Sequence, residues 1–144
     1  MKRQPKGRSY LESDIRSASP PRLLLMLYEG AIRFCRQGIE AQSRGDRDAK
    51  HTAFCRAQDI LMELLGALDK SVAPELSGRL SALYVYLHKR LIEGNIKEQP
   101  GAAEEVIRHL EVLLGAWREA CLALDDEPGR SRTGQEPVGV EVRG

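Results

Sequence analysis

From Leu24 onward, apolar residues recur at intervals of three and four. Leu24, Leu27, Tyr28, Ala31, Phe34, Cys35, Gly38 and Ile39 share one face of a 3.6-residue repeat. That spacing predicts a first helix, opened by the hydroxyl and prolines of Ser19-Pro20-Pro21 and running to about Ser43. Gly45 and Asp46 then read as a helix-ending glycine followed at once by a new N-cap. So short a connection forces the second helix to run antiparallel beside the first, with Ala53, Ala57, Ile60, Leu61, Leu64 and Leu68 as its inner stripe. Ser71 to Pro74 starts a third helix that Gln99-Pro100-Gly101 ends; Leu76, Leu80, Leu83, Tyr84, Leu87 and Leu91 line it. A fourth, from about Ala102 to Leu124, turns Val106, Ile107, Leu110, Leu113, Leu114, Trp117 and Cys121 inward. The pattern predicts an all-α fold, an antiparallel up-down four-helix bundle over residues 19–124.

Two of these helices carry more apolar surface than a bundle core uses. On the third, Val85, Ile92 and Ile96 form a second stripe roughly 120–140° around from the first, with Ala82 beside it and Lys89 interrupting it. On the second helix, Cys55, Met62 and Leu65 lie to one side with Gln58 among them. The first helix opens on LLLMLY, apolar all round, so Leu23 and Met26 need cover beyond the core. A short patch at residues 10–18, built on Tyr10, Leu11 and Ile15, is the nearest candidate; it is too short to be a stable helix alone. Residues 1–9 and 125–144 are rich in Gly, Pro and charge without a period and read as disordered ends. Scattered aliphatics are ordinary on any surface, whereas aligned ones mark an interaction site. The pattern alone leaves open scattered residues, a groove for a partner helix or a face for a second copy of the chain.

Charge and cysteines narrow the partners. Twenty-two basic side chains against 21 acidic ones leave a net charge of +1, which argues against nucleic acid as a main partner. Cys35, Cys55 and Cys121 are odd in number and lack CxxC spacing, which fits a reducing compartment rather than a disulfide framework or a zinc site. Lys2, Arg3, Lys6 and Arg8 are followed by no apolar stretch of the kind a secretory signal needs. The longest apolar run, Leu23 to Tyr28, is far short of the roughly 20 residues that span a bilayer. A cytoplasmic protein without membrane insertion is expected.

Bundles often host chemistry. A carboxylate-bridged metal pair requires Glu-x-x-His aimed inward; that spacing does not occur in the chain, and no metal or other cofactor is expected. His88 and His109 lie at the margins of their stripes, and His88-Lys89-Arg90 gathers positive charge, so a histidine phosphotransfer bundle is an alternative. Surface histidines without a task are the commoner case. Cys35, Cys121 and Trp117 read as core, and no residue is singled out as catalytic.

Several separated segments share a further likeness. They are Tyr10 with Ile15 and Ala18-Ser19-Pro20; Leu25 to Phe34, LMLYEGAIRF; Ala57-Gln58-Asp59-Ile60; Leu83 to Leu87, LYVYL, leading to Arg90 to Lys97, RLIEGNIK; and Ala116-Trp117. In this order and spacing the chain, from Tyr10 to roughly Ala120, resembles the flagellar secretion chaperone (FliS) family. The resemblance implies a four-helix bundle with a short N-terminal cap, a cytoplasmic location, no enzyme activity, the C-terminal segment of flagellin as client and a flagellar export gate component as receiver. The pairing of the surplus stripes with the N-terminal patch then puts the expected client on Met62, Leu65, Val85, Lys89, Ile92 and Ile96, with Arg90 and Asn95 as polar anchors, and Tyr10 and Ile15 over part of the groove when the client is absent. A dimerising structural bundle remains the alternative for the same stripes. The chain departs from the family pattern at His88 and Lys89, commonly an aromatic and an arginine, and at Gly94, commonly alanine. Gly94 is expected to loosen the helix by about 1 kcal/mol relative to alanine.

Overall fold

The structure is a computed structural model that describes residues 20–126. Four helices follow in chain order: α1 (Pro20–Ser43), α2 (Arg47–Gly66), α3 (Pro74–Lys97) and α4 (Pro100–Asp126). The start signals act as their chemistry requires. Asp46 Oδ1 accepts the Ala49 N–H at 3.1 Å, capping α2, and Gly45 takes φ +76, where a side chain would be strained. Proline is the first residue of α1, α3 and α4, where no intrahelical N–H is lost. The fourth helix starts two residues earlier than Ala102 and continues two past Leu124. Tyr10 and Ile15, the 10–18 patch, residues 1–9 and the tail beyond Asp126 lie outside the described residues.

Each helix packs on its chain neighbours, and α1 closes the ring against α4, so α1 and α3 face each other across a diagonal. The inner stripes supply the core: Leu24, Tyr28, Ala31 and Cys35 from α1; Phe54, Ala57, Leu61 and Leu64 from α2; Leu80, Tyr84, Leu87 and Leu91 from α3; Val106, Leu110 and Leu114 from α4. At its centre the Tyr28 and Tyr84 hydroxyls bond to each other across the diagonal, their rings edge-on with centroids 6.4 Å apart. Burial raises both phenol pKa values, Tyr28 against the partial relief of its bond to Tyr84, so both stay protonated and supply the hydrogen that joins them. Trp117 borders this pair. Its indole N–H is buried and acts on the Tyr28 hydroxyl without reaching hydrogen-bond geometry.

Two expectations are corrected. Leu76, placed on the inner stripe of α3, is about half exposed. The register of α3 on α4 brings it level with Glu119 and Ala120, both exposed, so nothing apolar covers it. Gly94 does not loosen the helix in a way alanine would cure. A Cβ there would stand 2.5 Å from Ala102 Cβ and 3.1 Å from the Gln99 carbonyl oxygen, so glycine is what lets α3 and α4 close up at this turn.

Candidate functional site

The two flanks of α3 are chemically unlike. On the α2 side, Asn95 Nδ2 lies 3.1 Å from His51 Nδ1, and the buried Lys50 donates to the Asn95 carbonyl at 3.4 Å. That carbonyl belongs to the last turn of α3, where the helix leaves acceptors unpaired and its dipole favours a cation. At the other end, Ser77 Oγ donates to the Asp69 and Val72 carbonyls at 3.3 and 3.1 Å. The Asn95 contacts set the antiparallel register of α2 on α3, and the Ser77 bonds hold the turn that joins them. Counted from the His51–Asn95 contact, Gln58 comes level with His88, and Met62 and Cys55 fall within one residue of Val85 and Ile92.

The surplus stripes therefore lie on the same side of the bundle. The His51 contact turns the Cys55, Gln58, Met62 and Leu65 side of α2 toward α3, and Val85, Ile92 and Ile96 lie on the flank of α3 that faces α2. Met62 and Val85 are each 48% exposed and Ile96 is 74% exposed, while Leu65, Ile92 and Cys55 are half-buried. Lys89 is exposed at the outer edge, and Asn95 sits at the end where His51 meets it. The result is a partly exposed apolar strip on the side of the bundle, with the Asn95–His51 contact at one end. The sequence named its apolar residues, Cys55 among them; it did not show His51 beside them, a placement that the contact with Asn95 supplies.

Arg90 does not join it. Its guanidinium turns to the opposite flank, where Nε bonds Glu105 of α4 at 2.8 Å and Nη1 lies 3.6 Å from Glu93. Tyr86, exposed on the same flank, donates its hydroxyl to Glu105 at 2.6 Å, and His109 stands edge-on to the Tyr86 ring and 3.7 Å from the Glu105 carboxylate. The Tyr86 hydroxyl and then the Arg90 guanidinium hold Glu105 below the usual carboxylate range; in return Glu105 raises the pKa of both. A carboxylate with a depressed folded-state pKa adds stability that is present above the unfolded pKa and lost as pH falls through the folded one. A Glu105→Gln chain is accordingly expected to unfold at lower urea than the parent at neutral pH. The two midpoints should converge below the ordinary carboxylate range, and a gap that persists in strong acid would contradict the assignment. Of the two histidines considered for phosphotransfer, His109 belongs to this clamp and His88 is half-buried at the level of Gln58.

The geometry defines a four-helix bundle that leaves Met62, Val85 and Ile96 exposed on its second and third helices. The chain belongs to the FliS family: the model of "Flagellar protein FliS" matches residues 2–124. The flagellar secretion chaperone FliS of Bacillus subtilis is 33% identical over 112 residues, covering 78% of this chain and 83% of that protein. Its counterpart in Salmonella typhimurium is 34% identical over 110 residues, 76% of this chain and 82% of the relative. That of Campylobacter jejuni is 32% identical over 111 residues, 77% and 87% respectively. Among the described residues no helix is long and apolar enough to cross a membrane.

Proposed function

We propose that this chain is a cytoplasmic, non-enzymatic export chaperone that holds the C-terminal segment of flagellin and releases it at a component of the flagellar export gate. The observation that carries the reading is the exposure of Met62, Val85 and Ile96 on the flanks of α2 and α3, outside the core cluster. An amphipathic segment laid along these flanks buries its own apolar face and spends part of the gain on becoming ordered, about 2–5 kcal/mol. The outcome is binding tight enough to prevent premature polymerisation and weak enough to be undone. Val85, Ile92, Ile96, Met62 and Leu65 form the floor of the proposed groove, with Lys89 and Asn95 at the rim. Arg90 acts from the far flank as part of the Tyr86–Glu105 clamp. The names of the relatives, flagellar secretion chaperones, support the same reading.

Titration calorimetry of the full chain against the C-terminal segment of flagellin from the same organism tests it. One-to-one binding with a gain of helix in circular dichroism is expected. An absence of heat at micromolar concentration, together with a mass that doubles as the chain is concentrated, would instead assign the groove to a second copy of this chain.

A further inference from the structure

This side of the bundle holds a feature that client binding does not require. Cys55 Sγ lies 3.4 Å from His51 Nε2, one helical turn earlier on α2, and the other ring nitrogen of His51 faces the Asn95 side-chain amide of α3 at 3.1 Å. Thiol, imidazole and amide thus stand in line across two helices, with the sulfur partly exposed. Oxygen and nitrogen of an Asn amide are assigned from their partners. With its oxygen toward the ring, Asn95 accepts Nδ1–H and leaves Nε2 bare in front of the thiol. With its nitrogen toward the ring, Nε2 carries the hydrogen, donates it to the sulfur and has no lone pair for the thiol proton. The oxygen-toward-ring arrangement sets a nucleophile, a base and an orienting group within reach of one another, and it is the one the exchange below uses.

We propose that Cys55 is a thiol–disulfide exchange site for low-molecular-weight disulfides, with His51 as its proton relay and Asn95 as the positioning residue for the ring. The proton of Cys55 moves to His51 Nε2, and the thiolate attacks one sulfur of the incoming disulfide. A new S–S bond forms as the old one breaks, and the departing thiolate takes the proton back from the imidazolium. Cys55 is oxidised and the released sulfur reduced, with no further co-reactant. Because Cys55 falls within one residue of the level of Ile92, a peptide-sized thiol attached there lies across the stripe proposed to meet the client. This second consequence, that the adduct blocks the client, rests on the groove reading above.

The other cysteines serve as internal references. Cys35 is fully buried, and burial pushes its thiol up to about 12; Cys121 is half-buried on α4. The full chain is mixed with a nitrobenzoate disulfide that releases a coloured thiolate, and the labelled cysteine is identified by peptide mass. Cys55 is expected to be labelled first, and His51→Ala and His51→Gln to slow it by about 10-fold or more, with added imidazole restoring part of the rate to the alanine chain. Asn95→Asp, which keeps an oxygen at the same reach, should retain rate that Asn95→Ala loses. Cys55 labelling that is equally fast in both His51 variants, with helicity intact, overturns the proposal. In a separate arm, the chain carrying glutathione on Cys55 is titrated with the flagellin segment beside the unmodified chain. Lost binding by the adduct alone supports the block, and equal binding by both overturns it. Failure of the unmodified chain to bind would remove the groove reading, while the labelling arm still decides the thiol.

Discussion

An Ile92→Glu chain is expected to keep its helicity and to lose at least about 100-fold in affinity for the flagellin C-terminal segment. Ile92 is half-buried on α3, between Val85 and Ile96 on the stripe proposed to meet the client. In the free protein a glutamate there still reaches water along the exposed flank of α3, so the fold bears little of the cost. Once a client helix covers the strip, the carboxylate must be desolvated or push the client away. A factor of 100 corresponds to about 2.7 kcal/mol, within the range of a central interface residue. Val112→Glu is the matching control, because Val112 is 73% exposed on α4, away from the groove, and its substitution should leave the affinity unchanged. Calorimetry on both chains decides the matter: full affinity in Ile92→Glu would refute the groove assignment.

The second large effect concerns stability. Gly38→Ala should destabilise the bundle by about 2–3 kcal/mol and lower its melting temperature by on the order of 10 °C. In an open helix interior the same change is favourable by about 0.5–1 kcal/mol, because alanine loses less backbone freedom. At Gly38 a Cβ would stand 2.3–2.7 Å from three atoms of the Phe54 ring, and that ring is itself buried between α1 and α2. Steric overlap therefore decides the sign. Gly115 on α4 meets nothing within 4 Å, so Gly115→Ala should raise the melting temperature where Gly38→Ala lowers it. Thermal unfolding of both variants checks the contrast, and combining Gly38→Ala with Phe54→Leu should recover part of the loss. A Gly38→Ala chain as stable as the parent would show that the ring has room to move.

The frame of this protein is written locally. Asp46 caps because its carboxylate reaches a backbone N–H three residues on, and Gly45 and the helix-opening prolines punctuate by their own backbone chemistry. Periodicity likewise finds Tyr28, Tyr84, Leu87 and Leu110, which need only a stripe and no knowledge of a neighbour. Features that depend on the level at which two helices meet were not legible. Gly38 and Gly94 read as ordinary stripe or loosening positions until Phe54 and Ala102 are found against them. Leu76 belongs by angle to the inner stripe, but the segment of α4 opposite it offers Glu119 and an exposed alanine. Arg90 and Asn95 lie five residues apart, and angle alone did not show that one would turn to Glu105 and the other to His51. The apolar half of the candidate groove could be read from one helix at a time. Its polar half required the register.

The order of helices around the ring also governs how the chain reaches its fold. Because α1 meets α2, α2 meets α3 and α3 meets α4, most contacts join residues close in sequence, and only the α1–α4 seam spans the chain. Low contact order of this kind is associated with folding in about microseconds to milliseconds. The first three helices can pair as each is made, while the seam, with Arg118 on Glu29 at 2.8 Å, waits for the last. Until α4 arrives, the inner faces of α1 and α3 stay open to water, so the nascent chain exposes for longest the apolar surface that the finished bundle hides most completely.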